Sequence, residues 1–480
     1  MKCLVMNVLL FNPPGPDGKG FTREGRCTQE AGIWKTHWPP VSLATSAAMI
    51  EREGHCARTV DFPASGFAVR GLIEAVRKIR PSLAVWSTGT PSLPFDLGIA
   101  ELIRKHSSGT LTAVIGTHVT ILPEEALLHP GLDMVIRGEP EKIIRNLSAA
   151  GGGWKKVRGI SYREPDGKTV HNPPEDLLDP EEIPFPAWHG MDLQPYRLPL
   201  KGTPFLIVAP TRGCPYHCSF CTAPLYYGSK LRERPVEKVV EEMRNNGDRY
   251  GVTEFFIWAD TFTARKEYVM SFCRAIQERK LRISWTCNSR VDTVDGEMLE
   301  AMKEAGLWMI SFGIESANDK ILALAGKGIS AKQSREAVQL ANRTGLKTAG
   351  HFIFGLPGET EQTMQETLSM ALELPLDIAQ FYAAAPFPGT RLYDAAVRNG
   401  WLTEADGEGS SLNCSQVSAG MDLPGLPAQR VNDFLRLAYK RFYARPRAFL
   451  NVLSMVEPGV VRLAFSGWKR FAGSNRGMAV

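Results

Sequence analysis

Short apolar runs alternate with amphipathic stretches along most of the chain, and they fall into two successive series. The first series contains five β-rich runs: KCLVMNVLLF (2–11), CARTVDF (56–62), SLAVWSTG (82–89), LTAVIGT (111–117) and MVIRGE (134–139). Segments with helical periodicity, such as 41–53 and 67–79, separate these runs. The pattern predicts an α/β fold with a parallel, doubly wound sheet, whose ligands bind at the carboxyl ends of the strands.

A second series of six apolar runs follows later in the chain. These runs are FLIVAPT (205–211), EFFIWAD (254–260), ISWTCNS (283–289), WMISFGI (308–314), AGHFIFG (349–355) and AQFYAAA (379–385). Repeated βα units with buried strands predict a barrel whose active site lies at the carboxyl ends of the strands. Six units are too few for the complete eight-stranded barrel, so we expect a partial (β/α)6 barrel.

Two segments lack this alternation. Residues 150–203 begin near a run of three glycines and contain the proline-dense stretch HNPPEDLLDPEEIPFPAW. That composition is typical of a connector and unfavourable for regular sheet. The last part of the chain, from residue 395, is expected to form a small, mostly helical appendage. The pattern therefore predicts four regions: 1–149, 150–203, 204–394 and 395–480.

The composition is that of a globular protein, with 44% hydrophobic and 22% charged residues in a chain of 480. A chain of this length can form two or three domains with separate cores. No apolar stretch approaches the ~18 residues that a membrane-spanning helix requires. Three of the nine cysteines form one cluster, and the others are scattered without a disulfide framework, which is typical of reduced thiols. We therefore expect a cytoplasmic location.

The formal net charge of +5 is concentrated at the C-terminus. Residues 430–480 contain ten Lys or Arg against Asp433 and Glu457, so this tail carries +8 and the rest of the chain −3. Interleaved aromatic and basic residues could give the protein a peripheral contact with an anionic membrane. The alternative is a helix that packs its aromatic face on the main body and exposes its charges to solvent. We expect no nucleic-acid partner.

Three cysteines lie in the segment TRGCPYHCSFC, residues 211–221, directly after the first strand of the second series. A structural zinc site requires four ligands, usually in two C-x-x-C pairs, and the sequence has no second pair. A thioredoxin-like site needs two cysteines, and a catalytic cysteine acts singly. Three thiolates can bind three irons of a cubane cluster and leave the fourth iron open to another ligand. The segment therefore predicts a reactive iron–sulfur site with Cys214, Cys218 and Cys221 as ligands.

The spacing C-x-x-x-C-x-aromatic-C, formed by Cys214, Cys218, Phe220 and Cys221, resembles that of the radical S-adenosylmethionine (SAM) enzymes. In that superfamily the fourth iron of a [4Fe-4S] cluster chelates SAM. The reduced cluster cleaves SAM to methionine and a 5′-deoxyadenosyl radical. The resemblance implies a radical SAM barrel over residues 204–394 that binds the cluster and SAM.

Further motifs at strand ends resemble the SAM-binding segments of this superfamily. GIES (313–316) resembles the segment near the ribose and methionine groups, and GHFIFGLPGET (350–360) resembles the fifth-strand motif beside the adenine. For residues 350–360 the alternative is an ordinary strand-to-helix turn. For Asp260, at the end of the second strand, the alternative is an N-cap of the following helix. The resemblance implies SAM contacts from Phe220, Asp260, Arg290, Glu315, Ser316 and Gly355.

The loops of the first series resemble those of the cobalamin-binding domain that precedes the barrel in cobalamin-dependent radical SAM enzymes. GTHVTILPEE (116–125) and RGEPE (137–141) resemble the loops after the fourth and fifth strands, and STGTPSL (87–93) follows the third. The resemblance implies a Rossmann-like cobalamin-binding domain over residues 1–149. The implied cobalamin contacts are Thr88, Gly116, Thr117, His118, Gly138 and Glu139.

A generic nucleotide-binding domain is the competing interpretation of the first series. Its first βα turn, NPPGPDGKG, lacks the G-x-G-x-x-G fingerprint, which disfavours NAD. The sequence also lacks the D-x-H triplet through which cobalamin proteins ligate cobalt, so we expect cobalt without a histidine ligand. His118 is expected to hydrogen-bond to the cofactor instead. The segment 23–40 either covers the corrin, contacts substrate or forms a plain surface loop.

The methylases that the chain resembles use one SAM to methylate cobalamin and a second to form the radical. The substrate radical then takes the methyl group from methylcobalamin. We therefore expect methylation of an unactivated carbon in a lipid, tetrapyrrole or natural product, with no catalytic residue assigned. The alternatives are a non-methylating relative, such as an anaerobic oxidative cyclase or ring-rearranging enzyme, and a non-catalytic corrinoid or redox sensor. The resemblance also implies an external electron donor such as flavodoxin or ferredoxin.

Overall fold

Two mainly parallel sheets, one from each series of apolar runs, form the framework of the protein. The computed structural model describes residues 5–15, 21–24, 27–30, 37–199, 201–403, 414–446, 448 and 450–451. The strands in these residues are β1 (Asn7–Asn12), β2 (Phe21–Glu24), β3 (Cys27–Glu30), β4 (Cys56–Asp61), β5 (Leu83–Ser87), β6 (Leu111–Ile115), β7 (Met134–Ile136), β8 (Ile160–Arg163), β9 (Thr169–His171), β10 (Phe205–Val208), β11 (Thr211–Arg212), β12 (Arg232–Glu233), β13 (Glu254–Ile257), β14 (Ser284–Ser289), β15 (Leu307–Glu315), β16 (Lys347–Phe354) and β17 (Ile378–Ala383).

Helices connect most of the parallel strands. The α-helices in the described residues are α1 (Val41–Arg52), α2 (Val69–Ile79), α3 (Leu93–His106), α4 (Thr117–Ile121), α5 (Pro123–Leu127), α6 (Pro140–Ala150), α7 (Ala223–Tyr227), α8 (Val236–Tyr250), α9 (Lys266–Glu278), α10 (Gly296–Glu304), α11 (Asp319–Leu324), α12 (Ala331–Arg343), α13 (Glu361–Glu373), α14 (Arg391–Arg398) and α15 (Ala428–Tyr443). None of the helices in these ranges is long and apolar enough to cross a membrane.

The first sheet has the strand order β4-β1-β5-β6-β7-β8-β9. The five strands from β4 to β7 are parallel, as the apolar runs predict. Leu43 of α1 and Ile143 of α6 pack on one face of the sheet, whereas Leu72 of α2 and Leu97 of α3 pack on the other. The sheet is therefore doubly wound, and the carboxyl ends of its parallel strands lie along one edge.

The first sheet extends into the segment 150–203, which the sequence pattern assigned to a connector without regular sheet. That expectation is wrong for β8 and β9, which pair antiparallel with β7 and with each other. Pro165 lies in the turn between β8 and β9, where no ladder N–H is needed, and the proline-dense stretch begins at Pro173, after β9. The first domain therefore includes strands up to His171.

The second sheet has the order β10-β13-β14-β15-β16-β17 and is parallel throughout. Its six strands are the six predicted from the second series. Together with their helices they form the partial (β/α)6 barrel, in which β10 and β17 are the two edge strands. The cysteine segment begins just after β10, so it lies at the carboxyl end of the barrel.

Helix α15 covers the open edge at β17. The Tyr439 hydroxyl donates to the Phe381 carbonyl at 3.1 Å and accepts from the Phe381 N–H at 3.2 Å. The Tyr443 hydroxyl bonds to the Ala379 carbonyl at 2.8 Å and to its N–H at 3.3 Å in the same way. These hydroxyls pair with backbone groups that an adjacent strand would otherwise satisfy.

The aromatic face of α15 is therefore a packing face. Phe442 is fully buried, and the Phe434 ring makes a T-shaped contact with Phe354 of the barrel at 5.1 Å between centroids. This arrangement favours the packing alternative for residues 428–443. Most of the remaining basic tail, residues 452–480, lies outside the described residues, and membrane contact there stays a prediction.

We expect Tyr439→Phe and Tyr443→Phe each to lower the free energy of unfolding by about 1 kcal/mol, because each removes a hydroxyl that pairs with the β17 edge. Urea unfolding measures the loss. Tyr162→Phe is the control, since no hydrogen bond from its hydroxyl is found among the described residues. Equal losses in all three variants would contradict the edge-capping role.

Candidate functional site

The cysteine loop, residues 213–231, connects the short antiparallel strands β11 and β12. Gly213 opens the loop with φ +83°, and a Cβ there would lie 2.2 Å from the Lys230 carbonyl oxygen, so the turn requires glycine. The Gly213 N–H donates to Asp260 Oδ2 at 2.9 Å, and the Cys214 N–H donates to the Gly228 carbonyl at 3.2 Å. These bonds fix the start of the loop at the barrel mouth.

The middle of the cysteine loop is held by the far side of the barrel. The Ser219 N–H donates to the Ala325 carbonyl at 2.8 Å, and the Ser219 carbonyl accepts from the Leu392 N–H at 2.9 Å. Arg391 also donates to the His217 carbonyl. The backbone that carries the second and third cysteines is therefore positioned by segments more than 100 residues away in sequence.

The three cysteines supply the kind of donor set that an iron–sulfur cluster requires. Cys214 is buried, whereas Cys218 and Cys221 are half-buried at the mouth. Among the described residues, no three His, Cys, Asp or Glu side chains are arranged around one metal position. A cubane differs, because each thiolate binds a different iron. The donor set is therefore of the kind that holds three irons and leaves one open.

Positive side chains adjoin the cysteine loop. Burial raises the pKa of the Cys218 thiol, while the charges of Lys327 and Arg290 act in the opposite direction and favour the thiolate. Lys327 Nζ lies 2.7 Å from Glu315 Oε1, and both side chains are 8% exposed. The sequence motifs indicated Glu315 but not Lys327, which follows a glycine in the turn after α11.

The backbone around Glu315 is unusual. Glu315 has φ +67°, in the left-handed region, and the register between β15 and β16 shifts between Gly313 and Glu315. A Cβ on Gly313 would lie 2.7 Å from Glu315 Oε1 and 2.8 Å from Lys327 Nζ. The irregular backbone of the GIES segment therefore sets the direction of the Glu315 side chain at the end of β15, where the resemblance places SAM.

Arg290 is already engaged by its own surroundings. Its guanidinium forms two bonds of 2.8 Å to the Asp292 carboxylate and one of 2.8 Å to the Lys327 carbonyl. It also lies 3.6 Å from the ring centroid of Tyr216, in the cysteine loop. The fork that the sequence offered for a SAM carboxylate is thus occupied by Asp292, and Arg290 supports the cysteine loop.

The remaining predicted SAM residues lie near the carboxyl ends of the barrel strands. Asp260 accepts the Gly213 N–H, and Phe220 packs half-buried against the barrel core. The buried Ser316 hydroxyl is 3.2 Å from Thr367 Oγ1, and the Gly355 N–H donates to Glu359 at 2.6 Å. Their contacts with SAM stay predictions.

His351 on β16 was missed by the motif analysis. Its ring stacks on Tyr382 at 5.8 Å between centroids, with Nδ1 3.3 Å from the tyrosine hydroxyl. Its buried Nε2 has no hydrogen-bond partner within the described ranges. Burial lowers the pKa of His351, which favours the neutral ring. The sequence signal that could have identified it is a single histidine between glycine and phenylalanine in an otherwise apolar strand.

The loops of the first sheet form a close-packed edge. Gly116 has φ +145°, and a Cβ there would lie 2.1 Å from the Thr88 carbonyl oxygen. Thr117 begins α4, and the Gly138 N–H donates to Thr120 Oγ1 at 3.0 Å. Asn12, at the carboxyl end of β1, has a buried Oδ1 without a partner in the described part of the chain. A glycine cradle and an unpaired polar atom fit a ligand at this edge.

His118 is buried, with both ring nitrogens near partners from the same domain. Nδ1 lies 3.0 Å from Thr90 Oγ1, and Nε2 lies 3.1 Å from Glu125 Oε2. The hydrogen bond from His118 lowers the pKa of Glu125. In this arrangement the ring holds two loops together, and neither nitrogen points to a ligand.

The Glu139 carboxylate is engaged within the protein. It binds Arg232 of the barrel domain and accepts the Leu178 N–H at 2.8 Å. A cobalamin contact from Glu139 stays a prediction. The carboxylate belongs to the interface between the two domains.

The segment 23–40 reaches the barrel through Trp38. The Trp38 ring lies 4.7 Å from Phe256 and 5.7 Å from both Phe205 and Trp258, measured between centroids. Residues 25–26 and 31–36 lie outside the described residues. Of the alternatives for this segment, the plain surface loop does not fit its last part, because Trp38 packs on the barrel. A narrow cleft lined by Val41 and Trp258 lies beside it, between the start of α1 and the ends of β10 and β13.

Comparisons with known proteins agree with both halves. A family model described as the Radical SAM superfamily matches residues 208–371, and one described as a B12 binding domain matches residues 34–148. The chain is 33% identical over 472 residues to an uncharacterised methyltransferase of Pyrococcus horikoshii, covering 97% of this chain and 98% of the relative.

Two more distant similarities extend the comparison. An anaerobic magnesium-protoporphyrin IX monomethyl ester cyclase of Rubrivivax gelatinosus is 27% identical over 367 residues, which are 74% of this chain and 66% of the cyclase. The radical SAM methyltransferase TsrM from Kitasatospora setae, solved with cobalamin and a [4Fe-4S] cluster, superposes with a TM-score of 0.70. The identity is 17%, over 95% of this chain and 92% of TsrM, so this likeness shows the fold.

We expect anaerobically purified protein to bind one four-iron cluster that is lost when Cys214, Cys218 and Cys221 are all replaced by alanine, because these thiolates are the only protein ligands that the motif supplies. Iron and sulfide analysis measures the loss. Cys56→Ala, at an exposed position on β4, is the control and should keep its iron. Unchanged iron in the triple variant would exclude this site.

We expect cob(II)alamin bound to the protein to show no axial nitrogen splitting in its electron paramagnetic resonance spectrum. The D-x-H triplet is missing, and both ring nitrogens of His118 face partners within the domain. The His118→Ala spectrum should therefore match the wild-type spectrum in its cobalt hyperfine pattern. A nitrogen triplet that disappears in His118→Ala would contradict this expectation.

Proposed function

The chain belongs to the cobalamin-dependent radical SAM enzymes, and from this premise we propose that it is a methyltransferase acting on an unactivated carbon. The cofactors of this family are a [4Fe-4S] cluster, SAM and cobalamin. An enzyme of this kind acts on a small molecule and needs a reductant. The proposal adds the type of reaction and the class of substrate.

The observation that carries the proposal is the meeting of the two sets of loops. Helix α4, after β6 of the first sheet, packs against α7 of the cysteine loop. A Cβ on Gly389 would lie 3.0 Å from both Ile121 of α4 and Leu225 of α7. Three segments therefore converge where the carboxyl ends of both sheets face each other. A substrate held there would lie between the two cofactor sites.

When bound, the cluster and cobalamin supply the electron that cleaves SAM and the methyl group that is transferred. The protein contributes position and exclusion of water. Cys214, Cys218 and Cys221 would hold the cluster, and the Glu315–Lys327 pair would face the amino and carboxylate groups or the ribose of SAM. Trp38 and Trp258 provide an apolar wall beside the cleft, where solvent would otherwise quench a radical.

Methyl transfer is supported by relatives with that described activity. The Pyrococcus horikoshii relative, which aligns with nearly the whole chain, is described as a methyltransferase. The cyclase of Rubrivivax gelatinosus supports the second candidate function, an oxidative cyclase with the same cofactors. A tetrapyrrole, lipid or natural product is proposed as substrate, and flavodoxin or ferredoxin as electron donor. A cytoplasmic enzyme fits this chemistry.

We expect anaerobic incubation with SAM, cobalamin, a reductant and a candidate substrate to give a product about 14 Da heavier, because a methyl group replaces one hydrogen. With SAM that carries a trideuterated methyl group, the gain should be about 17 Da. Mass spectrometry measures both, and Cys214→Ala is the control. A product without the deuterium label would favour the cyclase function and contradict methyl transfer.

A further inference from the structure

Four buried charged side chains join the two domains at the base of the cysteine loop. Arg212 and Arg232 come from β11 and β12, the two strands that close this loop. Glu139 and Glu141 come from the start of α6, in the first domain. We call these four residues the charge clamp. The sequence motifs gave Glu139 a cobalamin contact, and neither they nor the proposed reaction gave a role to the other three residues.

The charge clamp is closely bonded and almost fully buried. Arg212 Nη2 donates to Glu141 Oε1 at 2.6 Å, and Arg232 Nη1 donates to Glu139 Oε2 at 3.1 Å. Arg212 Nη1 also lies 3.5 Å from Glu139 Oε1. The four side chains are at most 11% exposed. The interaction is therefore little screened by solvent.

The arginines need the carboxylates of the other domain. Arg212 and Arg232 are directly opposite each other in the β11–β12 pair. Like charges at facing positions destabilise an antiparallel pair, and buried charges without counter-ions cost several kcal/mol. Glu139 and Glu141 supply the compensating charge. The pairing of β11 with β12, which closes the cysteine loop, therefore depends on carboxylates of the first domain.

The carboxylates adjoin the loop that the family resemblance gives to cobalamin. Gly138 directly precedes Glu139, and its N–H is bonded to Thr120 of α4. Helix α4 in turn packs on α7, inside the cysteine loop. The α4–α7 contact and the charge clamp therefore attach the cysteine loop to two neighbouring loops of the first domain, one after β6 and one after β7. Two attachments fix both distance and orientation, which one attachment does not.

We propose that the charge clamp positions the cluster-binding loop relative to the cobalamin-side loops and so sets the distance between the two cofactors. One consequence of this inference rests on the proposed function: without the charge clamp, SAM would still be cleaved but less methyl group would be transferred to the substrate. Arg212, Arg232, Glu139 and Glu141 are positioning residues. None of them is required to contact substrate.

The test compares Glu139→Gln/Glu141→Gln with Glu242→Gln in protein loaded with cluster and cobalamin. Glu242 and Arg234 form a buried pair at 2.6 Å within the barrel domain, so the control also strands a buried arginine but breaks no contact between domains. Pulsed electron paramagnetic resonance measures the distance between the reduced cluster and cob(II)alamin. This readout needs no substrate, so it is independent of whether the protein methylates.

We expect one narrow distance distribution in the wild type and in Glu242→Gln, and a distribution about twofold wider in the double variant, since positioning within ~0.5 Å depends on supporting contacts. Arg232→Lys, which keeps the charge balance but not the fork, should widen it less. Loss of iron from the double variant, with iron retained in Glu242→Gln, would support the same role. A double variant with full iron content and the wild-type distribution would overturn the proposal.

Discussion

The structure depends on the closure of one loop that carries all three cysteines of the candidate cluster site. Its ends pair as β11 and β12, and its first turn is possible only with glycine at position 213. Three thiolates can bind one cubane only if the chain between them holds a fixed path. Hydrogen bonds from the loop to Asp260 and Ala325, and one from Leu392 to the loop, impose that path. The barrel thus acts as a rigid frame around a short irregular segment.

The parallel arrangement of both sheets explains why the loops of the first domain meet the cysteine loop of the barrel. Loops at the carboxyl ends of parallel strands gather at one edge, and each domain presents that edge to the other. Contacts such as Arg212 with Glu141 and Ile121 with the Gly389 turn join the edges. Close packing of these loops would limit the access of water to the junction, which radical chemistry requires. Helix α15 completes the frame, because its tyrosines pair with the backbone of the β17 edge.

The sequence patterns predicted those features that depend on residues close together in the chain. The eleven strands of the two series follow from apolar runs, and the cysteine spacing follows from the demands of a cluster. The β8–β9 hairpin was not predicted because the proline content of the whole segment was taken to disfavour sheet. The prolines lie in the turn and after β9, where they interrupt no strand. Partners distant in sequence could not be seen: Arg212 and Glu141 are 71 residues apart, and Trp38 meets strands beyond residue 204. The engagement of the Glu139 carboxylate by Arg232, 93 residues further along the chain, likewise emerges only when the loops converge.

The account centres on a cluster with an open iron that cleaves SAM. The most direct test is to reduce the anaerobically reconstituted protein in the presence of SAM and measure 5′-deoxyadenosine by liquid chromatography. The account predicts that 5′-deoxyadenosine and methionine form with the wild-type protein and not with Cys214→Ala. A wild-type protein that holds its four irons and cobalamin yet forms no 5′-deoxyadenosine would contradict it.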